Sequence, residues 1–276
     1  MEVKKILDTY GREGLIILEY VLNLPKSKIL RDKFTLSEEE ESRFREIAAK
    51  RESGMPLQYA IGLWNFFGRD FLVGENVLIP RPETELLVER ILKEAGAFSQ
   101  EKSLNLGEKK APSLLDLCTG SGIIGITCQL EGNFSRVLST DISEPALALA
   151  EKNRDKFKAN IEFRKSDLFE DIDEKFDFIS ANPPYIESRD LDYLEEDVKK
   201  EPLIALDGGE DGLDFYRKII KASKSHLNSK GYLFFEIGYG QAKKVSTLLE
   251  AEGYGIIEII VDYNGIDRHI VARNLE

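Results

Sequence analysis

The chain has 276 residues, 42% hydrophobic and 32% charged, which is more length than an average domain needs and enough apolar material for a substantial core. Lys and Arg number 38 against 50 Asp and Glu, a formal charge of −12 that argues against naked nucleic acid as the main partner, because phosphate binding is driven by clustered cations. Two cysteines, Cys118 and Cys128, make neither a disulfide framework nor a zinc spacing.

In chain order, residues 2–53 read as helices with polar connections. Leu15, Ile16, Leu18, Tyr20, Val21 and Leu22 make one compact apolar helix, and Ser37-Glu-Glu-Glu40 is a capping box opening a charged helix whose buried stripe is Phe44, Ile47 and Ala48. A small helical domain over 1–55 is the expectation. Residues 56–82 change character: 56–62 and 64–73 are rich in aromatic and β-branched residues with glycine punctuation, which predicts a β-hairpin connector. Pro82, Glu83 and Glu85 then suit the first turn of a helix with Leu86, Leu87, Val88, Ile91 and Leu92 as its stripe, and 96–112 reads as a polar surface loop.

From residue 113 strands alternate with helices, the pattern of a mostly parallel sheet covered on both faces, so 83–276 is expected to be one α/β domain. Strands are predicted at 113–117, 136–140, 161–164, 176–181 and 232–237, and helices after Gly122, over 143–158, 212–227 and 241–252. The end differs. Two apolar runs flank Asp262-Tyr-Asn-Gly-Ile-Asp267, so the last two strands join through an Asn-Gly turn and one antiparallel strand is expected to close the sheet. The N-terminus lacks a signal-peptide core and no apolar run reaches membrane-spanning length, so a cytoplasmic protein with no membrane partner is expected.

Two stretches carry chemistry. Gly120-Ser-Gly122-Ile-Ile-Gly125 follows a strand and opens a helix, with Asp141 ending the next strand; glycines let backbone approach a ligand and the carboxylate can hold ribose hydroxyls. Dinucleotides use the same features, so the loop alone leaves the cofactor open. The other stretch is Asn182-Pro183-Pro184-Tyr185 at the end of an apolar strand. Neither proline can donate to a ladder, and a residue before proline is held extended, so a carboxamide oxygen, the Pro183 carbonyl and an aromatic face are brought together. Such a set fits a planar NH2 group and has no use in hydride transfer. With Asp116 placed before the glycine loop, where an aminoacyl ammonium would gain from a carboxylate, it favours S-adenosylmethionine over a dinucleotide.

The chain resembles the protein-(glutamine) methyltransferases that modify peptide-chain release factors, the PrmC/HemK family. The resemblance runs through Gly54-Met-Pro-Leu-Gln-Tyr59, Val77-Leu-Ile-Pro-Arg-Pro-Glu-Thr-Glu85, residues 116–122, Asp141-Ile-Ser143, Ser166-Asp-Leu-Phe169, residues 182–186, Glu201-Pro202, residues 206–213, Glu236-Ile-Gly238 and residues 262–268. It implies a class I methyltransferase Rossmann-like fold with a terminal antiparallel hairpin, S-adenosylmethionine as cofactor, and methyl transfer to the amide nitrogen of a release factor's Gly-Gly-Gln glutamine. By position, Cys118, Thr119, Gly120, Ser121 and Gly122 would line the methionine and ribose, Asp141 would hold the ribose, Asp167 and Leu168 would border the adenine, and Asn182, Pro183, Pro184 and Tyr185 would hold the acceptor, with no metal. Cys118 departs from the glycine common in the family, and its side chain is expected to point away from the ligand. Arg81 and Glu83, near the domain junction, are candidates for placing substrate. The competing readings are an amino-methyltransferase acting on a nucleic-acid base, a non-catalytic cofactor-binding interaction protein and a nicotinamide oxidoreductase.

Overall fold

The computed structural model of the chain describes residues 2–32, 35–106 and 111–276. Helices α1 (Val3–Leu22), α2 (Lys26–Arg31), α3 (Glu38–Glu52) and α4 (Leu57–Ile61) share one core built on Ile6, Ile17, Leu18, Phe44 and Ile47. The expected capping box is present: the Glu40 amide donates to Ser37 Oγ (3.2 Å) and the Ser37 amide donates to Glu40 Oε2 (2.8 Å), satisfying two amides that α3 itself cannot. Gly11 breaks α1 with φ 54° and ψ −129°, a conformation that glycine adopts without a Cβ penalty.

Helix α4 corrects the sequence reading, which placed residues 56–62 with the hairpin. Leu57 and Ala60 pack into the helical core, while Tyr59 turns toward Val73 and Ile79 and its hydroxyl donates to the Val77 carbonyl (2.5 Å). The helical packing therefore continues beyond residue 55. The hairpin itself is β1 (Leu63–Phe66) and β2 (Arg69–Leu72), joined by Phe67 and Gly68, both at positive φ (51° and 73°) as a tight two-residue turn needs. Glu85 secures that turn by accepting from the Phe67 amide at 2.7 Å.

Helix α5 (Glu83–Leu106) also runs further than expected, through most of the stretch read as a loop; residues 107–110 of that stretch lie outside the described residues. Its apolar stripe continues from Leu87 and Ile91 to Ala95 and Phe98, and the Phe98 ring meets Phe178 edge-on at 5.6 Å.

The seven-stranded sheet consists of β3 (Ser113–Leu117), β4 (Arg136–Asp141), β5 (Glu162–Lys165), β6 (Phe176–Ala181), β7 (Leu227–Glu236), β8 (Tyr254–Val261) and β9 (Asp267–Asn274), in the spatial order β5-β4-β3-β6-β7-β9-β8. Pairs from β5 to β7 are parallel, and β9 is antiparallel to both of its neighbours. The one antiparallel strand was expected to close the sheet; it is instead inserted between β7 and β8, leaving β8 at the edge. Helices α5, α6 (Ile123–Glu131) and α7 (Glu144–Phe157) cover one face, over a core that includes Ile91, Ile126 and Phe178. Helices α8 (Asp214–His226) and α9 (Ala242–Ala251) cover the other, with Tyr216, Ile220 and Leu249. After β3 the chain builds outward to β5, then returns to place β6 on the opposite side of β3. Order reverses there, and a ligand crevice opens at the C-terminal strand ends.

Candidate active site

A single cleft at that reversal is lined by Cys118, Thr119, Gly120 and Ser121 after β3, Asp141 after β4, Asp167 and Leu168 after β5, and Asn182 and Pro184 after β6. Four strands therefore deliver most of the residues singled out from the sequence to one place. Gly122, Pro183 and Tyr185 adjoin these residues in the chain and are not among those that line the cleft. Gly122 caps α6 at φ 83°, where a Cβ would come within 3.2 Å of Ala150, so it supports the loop.

The loop is braced from beneath by Asp116, which is fully buried. Its Oδ2 accepts from Thr119 Oγ1 (2.6 Å), Ser139 Oγ (3.3 Å) and the Gly125 amide (3.3 Å), and its Oδ1 from Ser180 Oγ (2.9 Å). Burial pushes its pKa up to about 6 despite those donors. Asp116 thus joins three strands and the start of α6, and it does not line the cleft; the expected meeting with a ligand ammonium is replaced by internal bonding. Gly125 permits the close approach, since a Cβ there would collide with Ser139 Oγ and sit 2.8 Å from Ile161 Cδ1.

Asp141 holds the loop from the other side. Its Oδ2 accepts from the Gly120 amide and its Oδ1 from the Ser143 amide, both at 2.9 Å, so the carboxylate is fixed while each oxygen keeps a lone pair for a further donor. Burial raises its pKa. Gly120 has φ 55° and open space where a Cβ would be, leaving a cradle of bare backbone facing the cleft. Leu168 also sits at positive φ (52°), its carbonyl held by Ser166 Oγ at 2.9 Å, while Asp167 is exposed at the rim. These features fit a ribose and an aminoacyl chain: a fixed carboxylate for hydroxyls, and unobstructed backbone beside it.

Cys118 has φ 55°, the left-handed region that glycine occupies more easily. It lines the cleft and also packs against the core beneath α8, and burial raises its thiol pKa well above the usual range, so it is a packing thiol and no nucleophile.

The acceptor end is built differently. Asn182 Oδ1 is buried and has no hydrogen-bond partner among the described residues, although the residue lines the cleft. Tyr185 packs against the core on the α8 side, and burial raises its pKa, keeping the phenol neutral. Its carbonyl accepts from Gln241 Nε2 (2.9 Å), which also donates to the Gly212 carbonyl (3.1 Å), so the backbone beyond the prolines is clamped. The segment after residue 205 presses on it as well: a Cβ on Gly208 would lie 2.7 Å from Tyr185 Cα and 2.9 Å from the Pro184 carbonyl oxygen. Arg81 and Thr84 line the cleft; Glu83, the first residue of α5, is absent from the lining.

Some contributors were not picked out from the sequence. Asn153, fully buried on α7, donates to the carbonyls of Ser121 (2.9 Å) and Leu72 (3.1 Å) and accepts from the Leu72 amide (2.7 Å), tying the cofactor loop to the hairpin. The signal was there, in a polar residue three positions after Ala150 on an apolar stripe. Gly208 and Gly212 fall within the 206–213 stretch of the resemblance but had no role assigned, and Gln241 gave no signal, because what they do depends on the backbone of Pro184 and Tyr185 being close.

The family model "Methyltransferase small domain" matches residues 89–200, and "PrmC N-terminal domain" matches residues 4–62. A methyltransferase from Pyrococcus furiosus has a similar fold, with a TM-score of 0.57 at 16% identity, covering 86% of this chain and 99% of that one. Fold and cleft together define a methyltransferase of the class I, Rossmann-like type. A release factor glutamine methyltransferase of Thermodesulfovibrio yellowstonii is 36% identical, with 99% of this chain and 96% of that protein covered, and one of Bacillus cereus is 38% identical, with 96% and 94% covered. The chain belongs to the release factor glutamine methyltransferase family.

Proposed function

We propose that this protein transfers a methyl group to the side-chain amide nitrogen of the glutamine in the Gly-Gly-Gln motif of a peptide-chain release factor. The observation that carries the acceptor assignment is Asn182 Oδ1, an acceptor buried without a partner among the described residues. A buried polar atom left unpaired costs roughly 1–3 kcal/mol, so its retention is accounted for by a donor that arrives with substrate. A primary amide offers two N–H groups. One donates to Asn182 Oδ1 and the other to the Pro183 carbonyl, and the neutral Tyr185 supports the loop that holds them.

When bound, S-adenosylmethionine supplies an electrophilic methyl group on a positively charged sulfur. The protein's work is orientation. An amide lone pair is delocalised into its carbonyl, and no side chain lining the cleft is a base strong enough to remove the proton first. Two acceptors in a fixed frame aim the nitrogen and strengthen their bonds as it gains positive charge. The carbon–nitrogen bond forms as the carbon–sulfur bond breaks, and the nitrogen then releases one proton to solvent. Asp141 would hold the ribose hydroxyls, Cys118 to Ser121 would lie along the aminoacyl and ribose portions with Gly122 supporting them, and Asp167 with Leu168 would border the base.

Among the described residues no helix is long and apolar enough to cross a membrane and no group of acidic, His or Cys side chains is arranged to hold a metal ion. A cytoplasmic site of action fits a release factor substrate, and the net charge of −12 supports a protein acceptor over a nucleic-acid base. The test is methyl transfer from labelled S-adenosylmethionine to a purified release factor, alongside the same factor with its Gly-Gly-Gln glutamine replaced and alongside DNA and RNA. Label on the intact factor alone is expected. Label on nucleic acid, or on the glutamine-less factor, would overturn the assignment.

A further inference from the structure

The helical unit reaches the cleft wall through an ion pair. Arg51, at the end of α3, donates from Nη1 to Asp197 Oδ1 (2.7 Å) and to the Met55 carbonyl (3.2 Å), while its Nε and Nη2 hold Glu13 of α1 at 3.1 and 3.0 Å. Asp197 opens a stretch with little slack. It precedes a 3-10 turn over Val198–Lys200, with the Lys200 amide on the Asp197 carbonyl (3.2 Å) and the Glu201 amide on the Val198 carbonyl (3.0 Å). Glu201 is 5% exposed and accepts from the Ile79 amide (2.9 Å) and from Arg81 Nη2 (2.5 Å). Ile204 and Ala205, just beyond it, line the cleft together with Arg81.

The anchor at Asp197 and the cleft lining from Ile204 are thus joined by six residues held by local bonds. Ile204 is 54% exposed, an apolar side chain that this segment presents at the cleft. We propose that Arg51 and Asp197 form a latch through which the helical unit sets the position of residues 197–206, and through Glu201 that of Arg81, against the acceptor half of the cleft. Both are positioning residues, and the proposal rests on the methyl-transfer reading in naming that half as the acceptor's. The side chains of Arg51 and Asp197 are 25% and 46% exposed, a setting in which an ion pair contributes little to global stability and its loss leaves the fold intact.

The test uses the full chain as Arg51→Met, Asp197→Asn and the double variant. Amide hydrogen exchange over 197–206 is measured together with steady-state methyl transfer to a release factor and with S-adenosylmethionine binding. Each single change is expected to speed exchange in that segment, and to raise KM for the release factor, by roughly 3- to 5-fold, the range of one partly exposed ion pair. Cofactor affinity is expected to stay at the wild-type value, and the double variant to be no worse than either single. Unchanged exchange and KM in the near-isosteric Asp197→Asn, or additive effects in the double, would overturn the latch. Exchange needs no turnover, so a wild-type protein that fails to methylate the factor would refute the acceptor reading while exchange still decides the latch.

Discussion

Two buried polar side chains at neighbouring strand ends illustrate the division of labour between holding and catalysing. Asp116 is bonded by four protein donors, whereas Asn182 Oδ1 is bonded by none among the described residues. The first organises the loop, and the second is the atom proposed to receive the substrate amide. Replacing Asp116 by Ala would leave a buried amide and three hydroxyls without their acceptor, and a loss of roughly 2–4 kcal/mol is expected in denaturant unfolding. The pH dependence has a definite sign. The folded-state pKa of about 6 lies above the ordinary carboxylate value, so the native state binds the extra proton, and this group's favourable contribution is complete below about pH 4 and lost as pH rises through 6. The stability difference between wild type and Asp116→Asn should therefore shift toward wild type by about 2 kcal/mol between pH 7 and pH 4. A difference that does not change with pH would contradict the shifted carboxyl. At this scale the sequence was legible where a residue's neighbours along the chain fix its backbone, as for Asn182, which stands before two prolines and lines the cleft. It was misleading for Asp116, whose partners Ser139 and Ser180 come from other strands.

At the scale of elements, glycines set how closely parts meet. Gly208→Ala would push a methyl group against the Tyr185 and Pro184 backbone, which cannot move aside as a flexible side chain can. A fall in turnover of at least roughly 10-fold with cofactor affinity kept is expected, because small misplacements of the acceptor groups are expensive in rate; wild-type turnover would show that the 206–213 segment does not set the acceptor geometry. Gly125→Ala acts on the other half: with Ser139 and Ile161 in the way, α6 must shift off the sheet, with a stability loss of about 1–3 kcal/mol in thermal or denaturant unfolding. Elements with strong periodicity were readable in advance, including the capping box of α3 and the alternation from β3 onward. Helix α4 was not, since five residues from Leu57 are too few for a helical period to separate from an apolar strand. The second half of α5 was obscured by its polar composition, although Phe98 packs it to the sheet.

Over the whole molecule, the strand order makes the site. Reversal at β3 puts the glycine loop and the Asn182 loop side by side, although 62 positions separate Gly120 from Asn182 along the chain. Alternating strands and helices made a covered parallel sheet legible, and the Asn-Gly turn announced an antiparallel strand. Insertion of β9 between β7 and β8 was not legible, because a hairpin fixes which strands are joined and leaves open which of them faces the sheet. The helical unit adds a connection invisible in sequence: Arg51 and Asp197 are 146 positions apart. The central claim is that Asn182 receives the substrate amide, and it is tested most directly by single-turnover methyl transfer to a release factor with Asn182→Ala, with S-adenosylmethionine binding measured on the same sample. A rate roughly 100-fold or more below wild type, with cofactor affinity within about 3-fold, is expected from the loss of a transition-state hydrogen bond. A near-wild-type rate with cofactor bound would contradict it.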